Sequence, residues 1–145
     1  MNEMDLLKEK LREIYSETTV AHVLAPHNTN DIQQPDGVGS CQSNCGEIMK
    51  MQLKIRSEQI TAAGYWTNGC AATIACGSMA TDLAIGKTIK EALGIAAEDI
   101  AASLVDFPQT NFHCAELAAQ TLRNALGIVF QLSMNLGKYC TGNIE

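Results

Sequence analysis

Three cysteines stand in short contexts suited to holding a metal or carrying sulfur. They are Cys45 in Asn44-Cys45-Gly46-Glu47, Cys70 in Asn68-Gly69-Cys70, and Cys114 in Phe112-His113-Cys114-Ala115-Glu116. Each follows or opens a turn, and two of them lead into apolar, helix-like segments. The unsatisfied N–H groups at a helix N-terminus stabilise a thiolate, which makes such a position a better ligand and a better sulfur nucleophile. His113 and Glu47 add one imidazole and one carboxylate. The resulting donor set is soft, suited to iron, zinc or an iron–sulfur cluster and unsuited to magnesium or calcium.

The other chemistry-bearing residues read differently. Cys76 lies six residues after Cys70, about 240° around an ideal helix, so the two point apart and Cys76 packs in the core. Cys41, in a loop four residues before Cys45, is open as a fourth ligand, a relay thiol or a thiol without a role. Cys140, near a polar tail, reads as incidental. His22 and His27 read as solvated or capping residues, Lys50 and Lys54 as a solvated strand face, and Tyr15 as a candidate partner or dimer contact. A cysteine hydrolase using Cys114 with His113 is poorly served, because neighbours on a helix diverge by about 100° and cannot readily share a proton.

These residues need elements to position them. Met49, Met51, Leu53 and Ile55 alternate with Lys50, Gln52 and Lys54, a period of two that predicts a strand with one buried face. Ser57 to Gln59 reads as a turn and Ile60 to Thr67 as the returning strand of an antiparallel hairpin, with a short edge strand over Val38 to Gln42. Cys45 precedes this hairpin and Cys70 follows it. With strands of similar length, both cysteines come back to one end of the sheet, and Cys114 joins them if its helix starts there.

Helices account for the rest. Met4, Leu7, Leu11 and Ile14 predict an amphipathic helix over 2–15, either packed on the domain surface or held out as a contact. A second covers Glu17 to Leu24, and the polar stretch from Pro26 to Gly39 is a loop. After Cys70, Ala71, Ile74, Ala75, Met79 and Leu83 supply an apolar face that Gly86 closes. Thr88 and Glu91 have capping-box spacing, and Ala97 to Leu104 forms a further helix before Pro108. The last helix is expected to start at Asn111 as N-cap, with Leu117, Thr121, Leu122, Ala125, Val129 and Phe130 as its seam. The fold class is α+β: a small antiparallel sheet of about three strands with helices packed on one face.

Composition bounds the function. The chain has 145 residues, 46% hydrophobic and 18% charged, enough for one domain with its own core. Its net charge of −6 and lack of any Lys/Arg cluster argue against a nucleic-acid partner. No apolar run approaches the ~20 residues that span a bilayer, which argues against a membrane protein. Glu3, Asp5, Glu9 and Glu13 make the first residues unlike a secretory signal or a transit peptide. The six cysteines are not spaced as a disulfide framework, so free thiols in a reducing cytoplasm are expected.

Taken together, these motifs resemble the scaffold proteins of iron–sulfur cluster assembly, of the IscU type and the N-terminal domain of NifU. The resemblance runs from Tyr15 to about Leu126. It rests on Tyr15-Ser16-Glu17 with His22, Pro26 and Asn28; on Cys45-Gly46-Glu47 followed by Met49-Lys50-Met51-Gln52-Leu53; on Gly69-Cys70; on Gly86-Lys87-Thr88 with Glu91-Ala92; and on His113-Cys114 with Leu117-Ala118. It leaves 1–14 as an N-terminal extension, 15–136 as the scaffold domain and 137–145 as a polar tail. The resemblance implies a scaffold without enzymatic turnover. Such a protein accepts sulfur from a cysteine desulfurase, receives iron, builds a labile 2Fe-2S cluster and delivers it to apo iron–sulfur acceptor proteins, with a homodimer left open. Cys45, Cys70, Cys114, His113 and Glu47 become the implied ligands. The alternative of the same fold is a zinc-bound sulfur acceptor that builds no cluster, and relatives of that kind lack the histidine before the third cysteine.

Three positions depart from the family pattern. Glu47 replaces the usual aspartate, and Ala71-Ala72 replaces Gly-Ser after the second cysteine. Phe107-Pro108-Gln109-Thr110-Asn111 stands where bacterial members carry Leu-Pro-Pro-Val-Lys, the recognition segment of a dedicated heat-shock chaperone. Loss of the second proline and the lysine argues against that chaperone as a partner.

Overall fold

The computed structural model describes residues 2–135, with the side chains of Ile128 and 130–135 left aside; Cys140, the tail over 137–145 and the Phe130 side chain therefore lie outside the described residues. In chain order the elements are α1 (Glu3–Ile14), α2 (Glu17–Leu24), β1 (Gly37–Gln42), β2 (Ile48–Arg56), β3 (Gln59–Thr67), α3 (Ala71–Ala84), α4 (Ile89–Leu93), α5 (Ala97–Leu104), a 3-10 turn at Gln109–Asn111 and α6 (Phe112–Asn135).

The sheet is an antiparallel meander in the order β1-β2-β3. Met49, Met51 and Leu53 are fully buried, as their alternation requires. The β2–β3 hairpin turns on two residues, Ser57 (φ 54°) and Glu58 (φ 65°), and the register slips between Lys54 and Ile55. Two left-handed turn residues match the twist of the flanking strands, which is why so short a loop closes here.

Helices α3 and α6 cover the face that carries Met49, Met51 and Leu53. On β1, Gly37 and Gly39 point toward α6. A Cβ at Gly39 would stand 2.2 Å from the Ala125 backbone nitrogen, so only glycine lets helix and strand approach this closely. The opposite face presents Val38, Lys50 and Trp66, with the Lys50 ammonium 5.6 Å over the Trp66 ring. Lys54 is tied down as well, its Nζ donating to the Gln34 carbonyl at 2.8 Å.

Three expectations change. The first concerns α3, which is buried almost all round, including Thr73, Ser78 and Thr81. It lies between α2, α5, α6 and β3, so no single apolar face exists, and Ile74 and Leu83 are only half-buried. The second is α1, which packs chiefly on α2 and buries only Leu11, leaving Met4, Leu7 and Ile14 exposed. Asn111 does not cap α6 from outside; it ends the 3-10 turn that runs straight into that helix. Tyr15 is half-buried, and its ring stacks on Phe107 with centroids 6.4 Å apart.

The capping box at Thr88 and Glu91 forms as expected. Ser16 caps α2, and with Thr19 it donates to the Leu104 carbonyl at the end of α5, at 2.6 and 3.0 Å. Cys76 is fully buried in the core, and burial pushes its thiol far up.

Candidate metal centre

The hairpin returns its two ends together. Met49 pairs with Thr67, and beyond that pair Ile48 N donates to Asn68 Oδ1 at 2.8 Å. Cys45, in the turn before β2, and Cys70, the N-cap of α3, therefore flank one end of the sheet. The turn at 43–46 is closed by Gly46 N donating to the Ser43 carbonyl at 3.0 Å, with Gly46 at φ 96°. The Ser43 hydroxyl sits 3.1 Å from Cys45 Sγ.

Helix α6 starts at the same end and delivers His113 and Cys114 in its first turn. Donor atoms of Cys45, Glu47 and His113 lie within 4.8 Å of one another. His113 Nε2 stands 3.6 Å from Cys114 Sγ. Cys70 and Cys114 are linked through Thr73, whose Oγ1 is 3.6 Å from Cys70 Sγ and 3.3 Å from Cys114 Sγ. That hydroxyl also lies 2.9 Å from Glu47 Oε1, so its single proton is shared between that carboxylate and Cys114 Sγ, while Glu47 Oε2 accepts from Cys70 N at 3.3 Å. All five residues expected from the sequence thus meet in one place.

Thr73 is not among those five, although it is the hub. One signal in the sequence points to it: it sits three residues after Cys70 on α3, the spacing that stacks side chains on one helix face. Gly69 makes room for it, since a Cβ there would stand 2.7 Å from the Thr73 side chain. Glu47, with both oxygens engaged, also places negative charge at the N-terminus of α3, where the helix dipole favours it.

The thiols differ in access. Cys45 and Cys70 are exposed and Cys114 is buried. Burial pushes the Cys114 thiol up to about 12, with the Thr73 hydrogen bond opposing the rise and the charges of Cys70 and Glu47 adding to it. The expectation of a lowered thiol at a helix start is overturned here: desolvation outweighs the dipole. Beside these residues opens a cavity of about 470 Å³, lined by Cys41, Cys45, His113, Glu116, Leu117 and Gln120 among others. Cys41 thus lines the approach to the site.

His22 and His27 lie elsewhere. His22 is buried against Ser78, contrary to the solvated reading, and His27 pairs with Asp82 at 2.7 Å.

The chain has recognisable relatives. Residues 14–131 match the family model of the NifU-like N terminal domain. The chain is 38% identical over 126 residues to the iron–sulfur cluster assembly scaffold protein IscU 1 of Archaeoglobus fulgidus, covering 86% of this chain and 82% of that one. It is 35% identical over 117 residues to the iron–sulfur cluster assembly scaffold protein IscU of Escherichia coli K12, covering 77% of this chain and 91% of that one. Its fold matches a Fervidobacterium islandicum AW-1 protein crystallised as a candidate iron–sulfur cluster assembly scaffold for the SUF system. That match has a TM-score of 0.64 at 20% identity and covers 79% of this chain and 98% of that one. Among the described residues no helix is long and apolar enough to cross a membrane.

Proposed function

The chain belongs to the NifU-like N-terminal domain family, and from that premise we propose that it is a scaffold for iron–sulfur cluster assembly. It takes sulfur from a cysteine desulfurase, binds iron, and, with an external electron donor supplying the two electrons that reduce each persulfide sulfur to sulfide, builds a 2Fe-2S cluster that it passes to apo iron–sulfur proteins. The observation that carries this reading is the convergence of three thiols, one imidazole and one carboxylate from separate elements at one open end of the sheet.

The chemistry divides by access. Cys45 and Cys70 are exposed and meet the donor first. A thiolate attacks the outer sulfur of the donor's persulfide; a new S–S bond forms as the old one breaks, and the donor cysteine leaves as thiolate. Cys114, buried and protonated, closes the ligand set when iron displaces its proton, so loading is coupled to proton release. The fourth ligand is His113 rather than Glu47, because both Glu47 oxygens already serve Cys70 N and Thr73. An imidazole among thiolates is an accepted 2Fe-2S ligand. The exposure of Cys45, Cys70 and His113 suits a cluster that must leave, whereas a closed four-ligand site suits a permanent metal.

Anaerobic reconstitution with iron and sulfide tests the reading, followed by visible absorption, Mössbauer spectroscopy and iron:sulfide:protein ratios. A 2Fe-2S signature is expected in the natural chain, lost in Cys45→Ser, Cys70→Ser and Cys114→Ser, and transferable to an apo-ferredoxin. Tight zinc and no cluster under any condition would instead establish the zinc-bound sulfur acceptor.

A further inference from the structure

A second group of ligand-bearing side chains lies well away from the thiols. His22 on α2, His27 in the loop that follows, and Asp82 in the last turn of α3 each offer a donor atom, all within 4.8 Å of one another. Asp82 is twelve residues along α3 from Cys70, about 18 Å of helix. We propose that His22, His27 and Asp82 form a second metal site, a two-imidazole, one-carboxylate set for a divalent transition ion such as zinc.

A single hydrogen bond accounts for His27 and Asp82, whose Nδ1 and Oδ2 meet at 2.7 Å. It does not account for the second imidazole, whose ring centroid is 4.7 Å from the first. Neutral imidazole is a common zinc ligand, and two rings within reach of one carboxylate make a two-nitrogen, one-oxygen donor set.

The surroundings hold these ligands in place. His22 Nδ1 is 2.6 Å from the Ser78 hydroxyl, which also accepts from His27 N at 2.8 Å. Asn28 donates to Asp82 Oδ1 and to Thr81 Oγ1, each at 2.9 Å, leaving Asp82 Oδ2 turned to His27. Such outer hydrogen bonds orient ligands and tune their basicity. Donor atoms around tetrahedral zinc stand about 3.3 Å apart for bonds of about 2.0 Å, so small side-chain rotations close the set. His27 is exposed and Asp82 half-buried, which gives the ion an entry path and leaves its fourth position to water. Bound metal would pin α2 and the loop onto α3.

Cobalt titration of the full chain separates the two sites, because thiolate ligation produces sulfur-to-cobalt charge-transfer absorption and a nitrogen–oxygen site does not. The natural chain is expected to take two equivalents. Cys45→Ser/Cys70→Ser should keep the one without charge transfer, with paramagnetic shifts on the His22 and His27 ring signals. His27→Ala and Asp82→Asn should each lose that equivalent alone, with thermal midpoints in chelator close to the natural chain's, and Asn28→Ala should weaken it about tenfold. The proposal is overturned if Cys45→Ser/Cys70→Ser binds no cobalt, or if the second equivalent survives His27→Ala and Asp82→Asn. Neither outcome depends on cluster assembly.

Discussion

At the scale of single residues, Cys114 and Thr73 set the character of the candidate centre. Cys114 is a buried thiol whose pKa stands at about 12, raised from an ordinary value of 9.0. A group raised on folding contributes stability that is intact below its unfolded pKa and is lost as pH rises through the folded one. The native state therefore holds a proton between about pH 9 and 12 that the unfolded chain has released, and stability must fall across that window. Each such proton steepens the decline by up to about 1.4 kcal/mol per pH unit. Urea unfolding of the metal-free chain from about pH 8 to about pH 10.5 samples the start of that window. The decline should be shallower in Cys114→Ala than in the natural chain. Equal slopes would mean that Cys114 is not held as a thiol. Cys76, Tyr15 and Tyr65, which burial shifts in the same direction, contribute slope in both proteins. Thr73→Val removes the hydroxyl that opposes the rise, so it should push Cys114 reactivity toward alkylating agents to still higher pH.

At the scale of elements, the site is assembled by where helices begin, and α6 is set in depth by β1. Gly39→Ala would drive a Cβ to 2.2 Å from the Ala125 nitrogen and 2.6 Å from the Asn124 carbonyl carbon, both backbone atoms that cannot rotate away. Overpacking of this kind costs about 1–3 kcal/mol or more. Because α6 also carries His113 and Cys114, the same change should loosen zinc binding at the thiolate centre as well as stability. Chelator competition and urea unfolding on one sample would read both, and a destabilised protein with undiminished zinc affinity would uncouple α6 depth from the site. These elements differ in how openly the sequence displays them. The β2 alternation survives because that strand has one wet face and one buried face. Helix α3 hides its role because neighbours surround it, so Thr73, Ser78 and Thr81 look like solvent residues yet are buried and hydrogen-bonded. The convergence of Cys45 with Cys70 follows from hairpin geometry alone. The linkage through Thr73 depends on side-chain packing across three elements, and no local pattern encodes that. The second histidine group escapes a sequence reading for a related reason, since Asp82 is remote in sequence from His22 and His27 and only the packing of α2 on α3 unites them.

At the scale of the whole molecule, α3 is the shared member, with Cys70 at its start and Asp82 in its last turn. Two sites on one rigid helix could communicate through it, or behave as independent clamps. Sites more than about 7–10 Å apart with no shared partner usually contribute additively, within about 0.5 kcal/mol. Cys70 engages Thr73, whereas Asp82 engages His27 and Asn28, so the two sets share no hydrogen-bond partner among the described residues. Independence is therefore the expected result, and it has a thermodynamic form. An ion that binds only the folded chain adds RT ln(1 + [L]/Kd), about 2.7 kcal/mol at a free concentration of 100 Kd. Zinc at the histidine site should add the same increment to unfolding free energy in the natural chain with its thiols blocked as in Cys70→Ser with its remaining thiols blocked. In metal-free protein, the destabilisations of His27→Ala and Cys70→Ser should sum to that of the double variant. A coupling clearly above about 0.5 kcal/mol would show that α3 transmits strain between its ends. Holding the N-terminal segment would then also influence how tightly the thiolate end holds a metal.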